Sequence, residues 1–169
     1  MNFRLALLCT VLGFTGISTV CADPEPPRPA PQCAFGSLDH TGNYDLQRFK
    51  GKVVYVDFWA SWCGPCVESF PYMNSLERDL KDQGLQVLGI NLDENPADAA
   101  AFLQTRPAAF AVATDEAAHC AQAFGVKTMP TSFLLDRNGQ IRAVHNGFRT
   151  GEAKAFRAEI ERLLQEPVN

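Results

Sequence analysis

Seven residues, VVYVDFW from Val53 to Trp59, form a near-continuous apolar run rich in β-branched and aromatic side chains, broken by one aspartate. This pattern suits a strand buried on both faces, and a strand of that kind needs helices on either side of its sheet. After the intervening ASWCGPC, the period changes. Val67, Phe70, Met73, Leu76 and Leu80 recur at helical spacing, and Gly84 is placed to stop the helix. The strand-to-helix junction therefore falls on two cysteines, Cys63 and Cys66, separated by Gly64 and Pro65.

The rest of the chain alternates in the same way. LQVLGIN, Leu85 to Asn91, reads as a second buried strand. Pro96 to Gln104 reads as a short helix, Ala109 to Asp115 as a short strand, and Glu116 to Phe124 as another helix. Thr131–Leu135 and Gln140–His145 flank DRNG, a hairpin signal. Thr150 is expected to cap a last helix through Leu164. Strand–helix–strand followed by a hairpin and a helix gives an α/β fold with a mixed sheet covered on both faces.

Length and charge set outer limits. A chain of 169 residues leaves one domain of roughly 140 once its ends are discounted. Hydrophobic content of 46% and charged content of 20% are those of a globular protein with a real core. The net charge of −4 gives no reason to expect nucleic acid or an anionic membrane surface as a partner.

Residues 1–22 read as an export signal. Arg4 precedes an apolar stretch from Leu5 to Val20, and Val20-Cys21-Ala22 offers small residues before a cut ahead of Asp23. About 16 residues is short for a membrane span, and Gly13 and Gly16 lie inside it. Acylation at Cys21 is the weaker variant, because Ser18 and Val20 match a lipid-attachment box poorly. Residues 23–32 begin DPEPPRPAP, with five prolines in nine positions, and read as an extended spacer that cannot enter an interior strand. The domain is expected over 33–166, and the location is expected to be periplasmic, where disulfides persist.

Removing the signal leaves four of six cysteines: Cys33, Cys63, Cys66 and Cys120. A zinc site needs four Cys or His ligands. His40, His119 and His145 show no paired spacing, so neither a metal nor a cofactor is called for. A thiol at a helix N-terminus meets free N–H groups and a partial positive charge, which favour the thiolate. Cys63 is placed to attack a substrate disulfide, and Cys66, one turn further in, to resolve the mixed disulfide. Pro65 fits the first helical position. Pro71 is expected to kink the helix. If Cys63 pairs with Cys66, the only partner left for Cys33 is Cys120. Two buried free thiols are the alternative.

VDFWASWCGPC resembles the active-site segment of thioredoxins, and TMPT (Thr128 to Thr131) resembles the loop whose proline is cis in that family. The fuller resemblance, over about residues 30–165, is to exported TlpA/ResA-like thiol–disulfide oxidoreductases. It rests on the signal segment, DLQRFKGKVVYVDFWASWCGPC, ESFPYM, and a helix–strand insertion between Pro96 and Asp115. The resemblance implies a thioredoxin fold with an extra N-terminal β-hairpin and that insertion. It implies catalytic Cys63, Cys66 and Asp57, with Asp57 taking the Cys66 proton through water. It also implies substrate contacts at Trp62, Gly64, Pro65, Met129, Pro130 and Gly147. Trp59 is expected to pack rather than contact substrate.

Two departures from the family pattern concern proton transfer. TlpA/ResA-like proteins usually carry a glutamate three residues after the second cysteine, where this chain has Ser69. Thioredoxin carries a lysine near its buried aspartate, where this chain has Gly89. A buried carboxyl unpaired with a cation resists ionisation. Asp57 facing solvent at a strand end is the alternative to the catalytic reading.

The expected function is thiol–disulfide exchange on protein substrates in the cell envelope, as a monomeric reductase fed by a membrane thiol donor. The resemblance implies cysteine pairs of apocytochrome haem sites or copper sites as substrates. An oxidase or isomerase, a peroxiredoxin-like enzyme and a binding module are the competing readings. The peroxiredoxin reading is disfavoured because FWASWC lacks the Pro and Thr such enzymes place ahead of the reactive cysteine.

Overall fold

The computed structural model describes residues 26–38 and 42–167, so the expected signal segment lies outside the described residues. Among the described residues eight strands are seen: β1 (Arg28–Pro29), β2 (Ala34–Ser37), β3 (Asn43–Asp45), β4 (Val53–Trp59), β5 (Leu85–Asn91), β6 (Ala111–Thr114), β7 (Thr131–Leu135) and β8 (Gln140–Asn146). Four α-helices join them: α1 (Gly64–Leu80), α2 (Pro96–Thr105), α3 (His119–Phe124) and α4 (Ala153–Gln165).

The strands form one mixed sheet in the order β1-β8-β7-β4-β5-β6-β2-β3. β4 pairs in parallel with β5, and β5 with β6, through the crossovers α1 and α2. β7 runs antiparallel to β4 and to β8. All seven residues of β4 are buried, as its composition requires. Alternation then divides the core. Val53, Tyr55 and Trp59 pack with α1, α2 and α4, while Val54, Val56 and Phe58 pack with α3 and the N-terminal segment. Trp59 is fully buried, with its ring centroid 4.8 Å from Phe70 and 5.0 Å from Phe102. Its packing role is therefore as expected.

The N-terminal hairpin β2–β3 and the insertion α2–β6 are both present, and β2 also pairs with β6. Three expectations need correction. The proline-rich stretch is not wholly a spacer: Arg28–Pro29 pairs with Gln140–Ile141 of β8, and the Ala30 N–H bonds Gly139 O at 3.0 Å. Proline is tolerated there because β1 is an edge strand and its outer side needs no donor. The fold thus extends before residue 33. Helix α3 starts at His119, not Glu116, because the Asp115 carboxylate accepts the Ala121 N–H at 2.8 Å and Ala118 takes a left-handed φ of 53°. Thr150 opens a 3-10 turn, Thr150–Glu152, and α4 begins at Ala153 with no side-chain cap. Pro71 sits inside an unbroken α1. After Leu80 the chain makes a tight turn to Gly84, whose φ of 101° ends the helical path.

Candidate active site

The end of β4 delivers the chain to a turn, Ala60–Trp62, and the turn delivers Cys63 to the N-cap of α1. Cys63 has extended backbone angles (φ −83°, ψ 105°), and its Sγ accepts the Cys66 N–H at 3.3 Å. Pro65 has no N–H to give, so the Cys66 amide is the donor aimed at this sulfur. The two cysteines form a disulfide with S–S 2.04 Å and Cα–Cα 5.3 Å. Cys66 has no exposed surface, whereas Cys63, itself buried but 5% exposed, lines an open groove. An incoming sulfur can therefore reach Cys63 and not Cys66.

The groove holds about 570 Å³ and is lined by Trp62, Cys63, Gly64, Pro65 and Met129, with a second wall from Leu92, α3 and Val126–Thr128. Trp62 is 71% exposed beside it, a large apolar ring left in water. The Met129–Pro130 bond is cis. Pro130 and Gly147 are not groove walls. Pro130 is buried, and its carbonyl accepts the Gly147 N–H at 2.7 Å. Gly147, at φ 81°, thus braces the loop from behind, in a conformation that favours glycine.

Asp57 is fully buried rather than at a solvent-facing strand end. Its position in β4 puts it on the face shared by Tyr55 and Trp59, two residues that cluster with Cys66. Burial pushes its carboxyl up to about 7, while a hydrogen bond donated by Ser132 Oγ at 2.6 Å pulls the other way. Its second oxygen, Oδ2, is buried without a partner. Directly across on β5 stands Gly89. A Cβ there would lie 2.9 Å from Phe110 Cε2 and 3.1 Å from Trp59 Nε1, so no lysine can occupy this side. Ser69 is buried and donates its hydroxyl to Cys66 O at 3.0 Å. Glu68 is exposed.

Two features of the site were not read from the sequence. Asp93 is buried and holds the turn before Cys63, and Ser132 with Tyr55 holds Asp57. The i, i+2 spacing of Tyr55 and Asp57 was the available signal for the second. Elsewhere, Cys33 is joined to Cys120 by a disulfide with Cα–Cα 5.6 Å. Among the described residues no three His, Cys, Asp or Glu side chains gather to hold a metal ion, and no helix is long and apolar enough to cross a membrane.

Comparison with known proteins converges on the same chemistry. The family model Redoxin matches residues 27–160. The thiol-disulfide oxidoreductase ResA of Bacillus thuringiensis subsp. konkukian is 33% identical over 151 residues, spanning 88% of this chain and 87% of its own. A ResA from Bacillus cereus is 32% identical over 165 residues and spans 96% of this chain and 91% of its own. A crystal structure from Chlorobium tepidum, described as a thiol:disulfide interchange protein DsbE, superposes with a TM-score of 0.78 at 45% identity, over 82% of this chain and 96% of that one. With its disulfide set at a helix start beside an open groove, the chain belongs to the redoxin family, as a ResA-like thiol–disulfide oxidoreductase of thioredoxin fold.

Proposed function

We propose that this oxidoreductase works in the cell envelope as a protein-disulfide reductase, with Cys63 as attacking thiol, Cys66 as resolving thiol and Asp57 as proton acceptor. The observation that carries the assignment is the asymmetry of the pair: Cys63 lines the groove and receives the Cys66 N–H, and Cys66 is sealed behind it. In the dithiol form the Cys63 thiolate attacks one sulfur of a substrate disulfide, and the departing sulfur takes the electron pair and a proton. Cys66 then gives its proton to Asp57 and attacks Cys63 Sγ. The second substrate sulfur leaves with the electron pair of the broken mixed disulfide. The first substrate sulfur draws its proton from solvent and the second receives the proton held by Asp57, so the substrate gains two electrons and two protons, Asp57 returns to the carboxylate, and the enzyme ends as the Cys63–Cys66 disulfide.

The Gly64-Pro65 dipeptide supports the reducing direction, since it resembles that of reducing thioredoxins. In an oxidising envelope a reductase must be recharged, and a membrane thiol donor fills that need. Residues 1–22 support export. Cysteine pairs of apocytochrome haem sites or of copper sites are the substrate class that the family resemblance favours. Trp62, Gly64, Pro65 and Met129 offer the contact surface, with Pro130 and Gly147 shaping the loop.

Trapping tests the assignment. Cys66→Ala should accumulate a mixed disulfide with the substrate in cells, and mass spectrometry of the adduct names that substrate. A trap seen only with Cys63→Ala would reverse the two thiol roles.

A further inference from the structure

Asp57 stands in a row of four cross-strand neighbours: Gly89 of β5, Asp57 of β4, Ser132 of β7 and His145 of β8. On the β5 side, Phe110 and Trp59 fill the space a side chain would need. On the β7 side, Ser132 donates to Asp57 Oδ1 at 2.6 Å. A serine hydroxyl has one proton to give. Once that proton points at the carboxylate, the Ser132 oxygen can only accept, so Tyr55 O–H, 2.7 Å away, is its donor. Tyr55, Ser132 and Asp57 thus form one directional chain of hydroxyls, all buried, and Asp57 Oδ2 is left outside it.

We propose that Ser132 and Tyr55 are positioning residues for the exchange reaction: they hold the Asp57 carboxylate ready as an anion and leave Oδ2 as the oxygen that takes the Cys66 proton. This rests on the reading of Asp57 as proton acceptor. A proton arriving on Oδ2 leaves the Ser132 bond to Oδ1 in place, so no hydroxyl has to turn during the step. Two hydroxyls in series polarise one another, which strengthens the bond that reaches the carboxylate. The arrangement supplies from β7 the stabilisation that no cation can supply from β5.

Few other groups bear on this carboxyl. Tyr55 on its own strand and Tyr72 on α1 are held well above the usual phenol range by burial, so both stay neutral. Cys63 and Cys66 at the start of α1 are tied in a disulfide. His145 on β8 faces Glu159 of α4 at 3.4 Å and is pushed down by burial, against the pull of Glu159. β5 contributes only Gly89.

The test follows the Asp57 carboxyl carbon by NMR in the oxidised full-length protein labelled with 13C-aspartate, from pH 4 to 10, the resonance being assigned by its loss in Asp57→Asn. Ser132→Ala should raise the titration midpoint by about one pH unit, and Tyr55→Phe by less. Ser132→Thr, which keeps the hydroxyl, should return it towards wild type. Tyr55→Phe keeps the ring, so it gives an answer even where Ser132→Ala fails to fold. An unmoved midpoint in the folded variants overturns the relay and leaves the acceptor reading standing. The acceptor reading has its own check: the pH profile for resolution of the mixed disulfide, wild type against Asp57→Asn. An identical profile overturns that reading and, with it, the role given to Ser132 and Tyr55.

Discussion

The Asp93 carboxylate, two residues past the end of β5, accepts both the backbone N–H and the hydroxyl of Ser61, two residues ahead of Cys63. The N–H lies 3.0 Å from Oδ2 and the hydroxyl 3.0 Å from Oδ1, and Asn91 Nδ2 donates to the same carboxylate at 2.8 Å. One buried side chain therefore ties the turn carrying Trp62 and Cys63 to the neighbouring strand. Asp93→Ala should lower stability by about 2–3 kcal/mol, because it strands a half-buried N–H and the buried Asn91 amide. Ser61→Ala removes only the hydroxyl bond and should lose about 1 kcal/mol. Urea unfolding of the two variants checks the ranking, and equal losses would show that the backbone contact contributes nothing.

Asp57 makes stability depend on pH in a defined window. Its carboxyl is raised to about 7 in the fold, chiefly by burial, from a usual value of 3.8. Below about pH 4 both folded and unfolded chains hold the proton, and no charge is buried. From there to about 7 the unfolded chain ionises first, so stability falls as pH rises; above 7 the penalty is constant. Asp57→Asn should come close to wild type near pH 4 and exceed it near pH 8 by on the order of 4 kcal/mol. Denaturant midpoints of the oxidised proteins across that range provide the measurement, and a difference that stays flat with pH refutes the linkage.

Gly89 should tolerate no side chain. Gly89→Ala drives a methyl against Phe110 and Trp59 and should cost about 1–3 kcal/mol. Gly89→Lys should fare worse, without placing a cation beside Asp57. Thermal unfolding distinguishes this from an open site, where alanine would be neutral or stabilising.

The Cys33–Cys120 bond spans 87 residues of chain. In the chain-entropy account a closure of that length contributes ~4 kcal/mol. The Cys63→Ala, Cys66→Ala double variant should have a mass two hydrogens below its dithiol form. Cys33→Ser with Cys120→Ser should lose about 2–4 kcal/mol yet still accelerate insulin reduction. Two free thiols in the first protein would refute the pairing.

What the sequence disclosed follows from the range of each interaction. The buried strand β4, the helix carrying Cys63 and the hairpin around DRNG are set by local period and turn chemistry, and their residues are where the periods place them. The start of α3 was misplaced because an acidic side chain, Asp115, captures an amide six residues on and diverts the backbone. Edge strand β1 was missed because its two pairings depend on β8, more than a hundred residues away. The Ser132–Asp57 contact joins residues 75 apart; the i, i+2 spacing of Tyr55 and Asp57 puts those two on one face but does not name Ser132 as their partner. The resemblance located Cys63, Cys66 and Asp57. The groups that hold Asp57 in place meet only when β4 and β7 pair.

The bond from Cys33 ends on Cys120, whose neighbour Ala121 forms part of the second groove wall. One wall of the groove beside Cys63 is thus moored by a second sulfur bridge. Any bench assay driven by dithiothreitol bathes both bridges in the same reagent. A reductant concentration high enough to open Cys33–Cys120 as well would change the wall along which Cys63 meets its partner, so the free-thiol count after each assay belongs beside the rate.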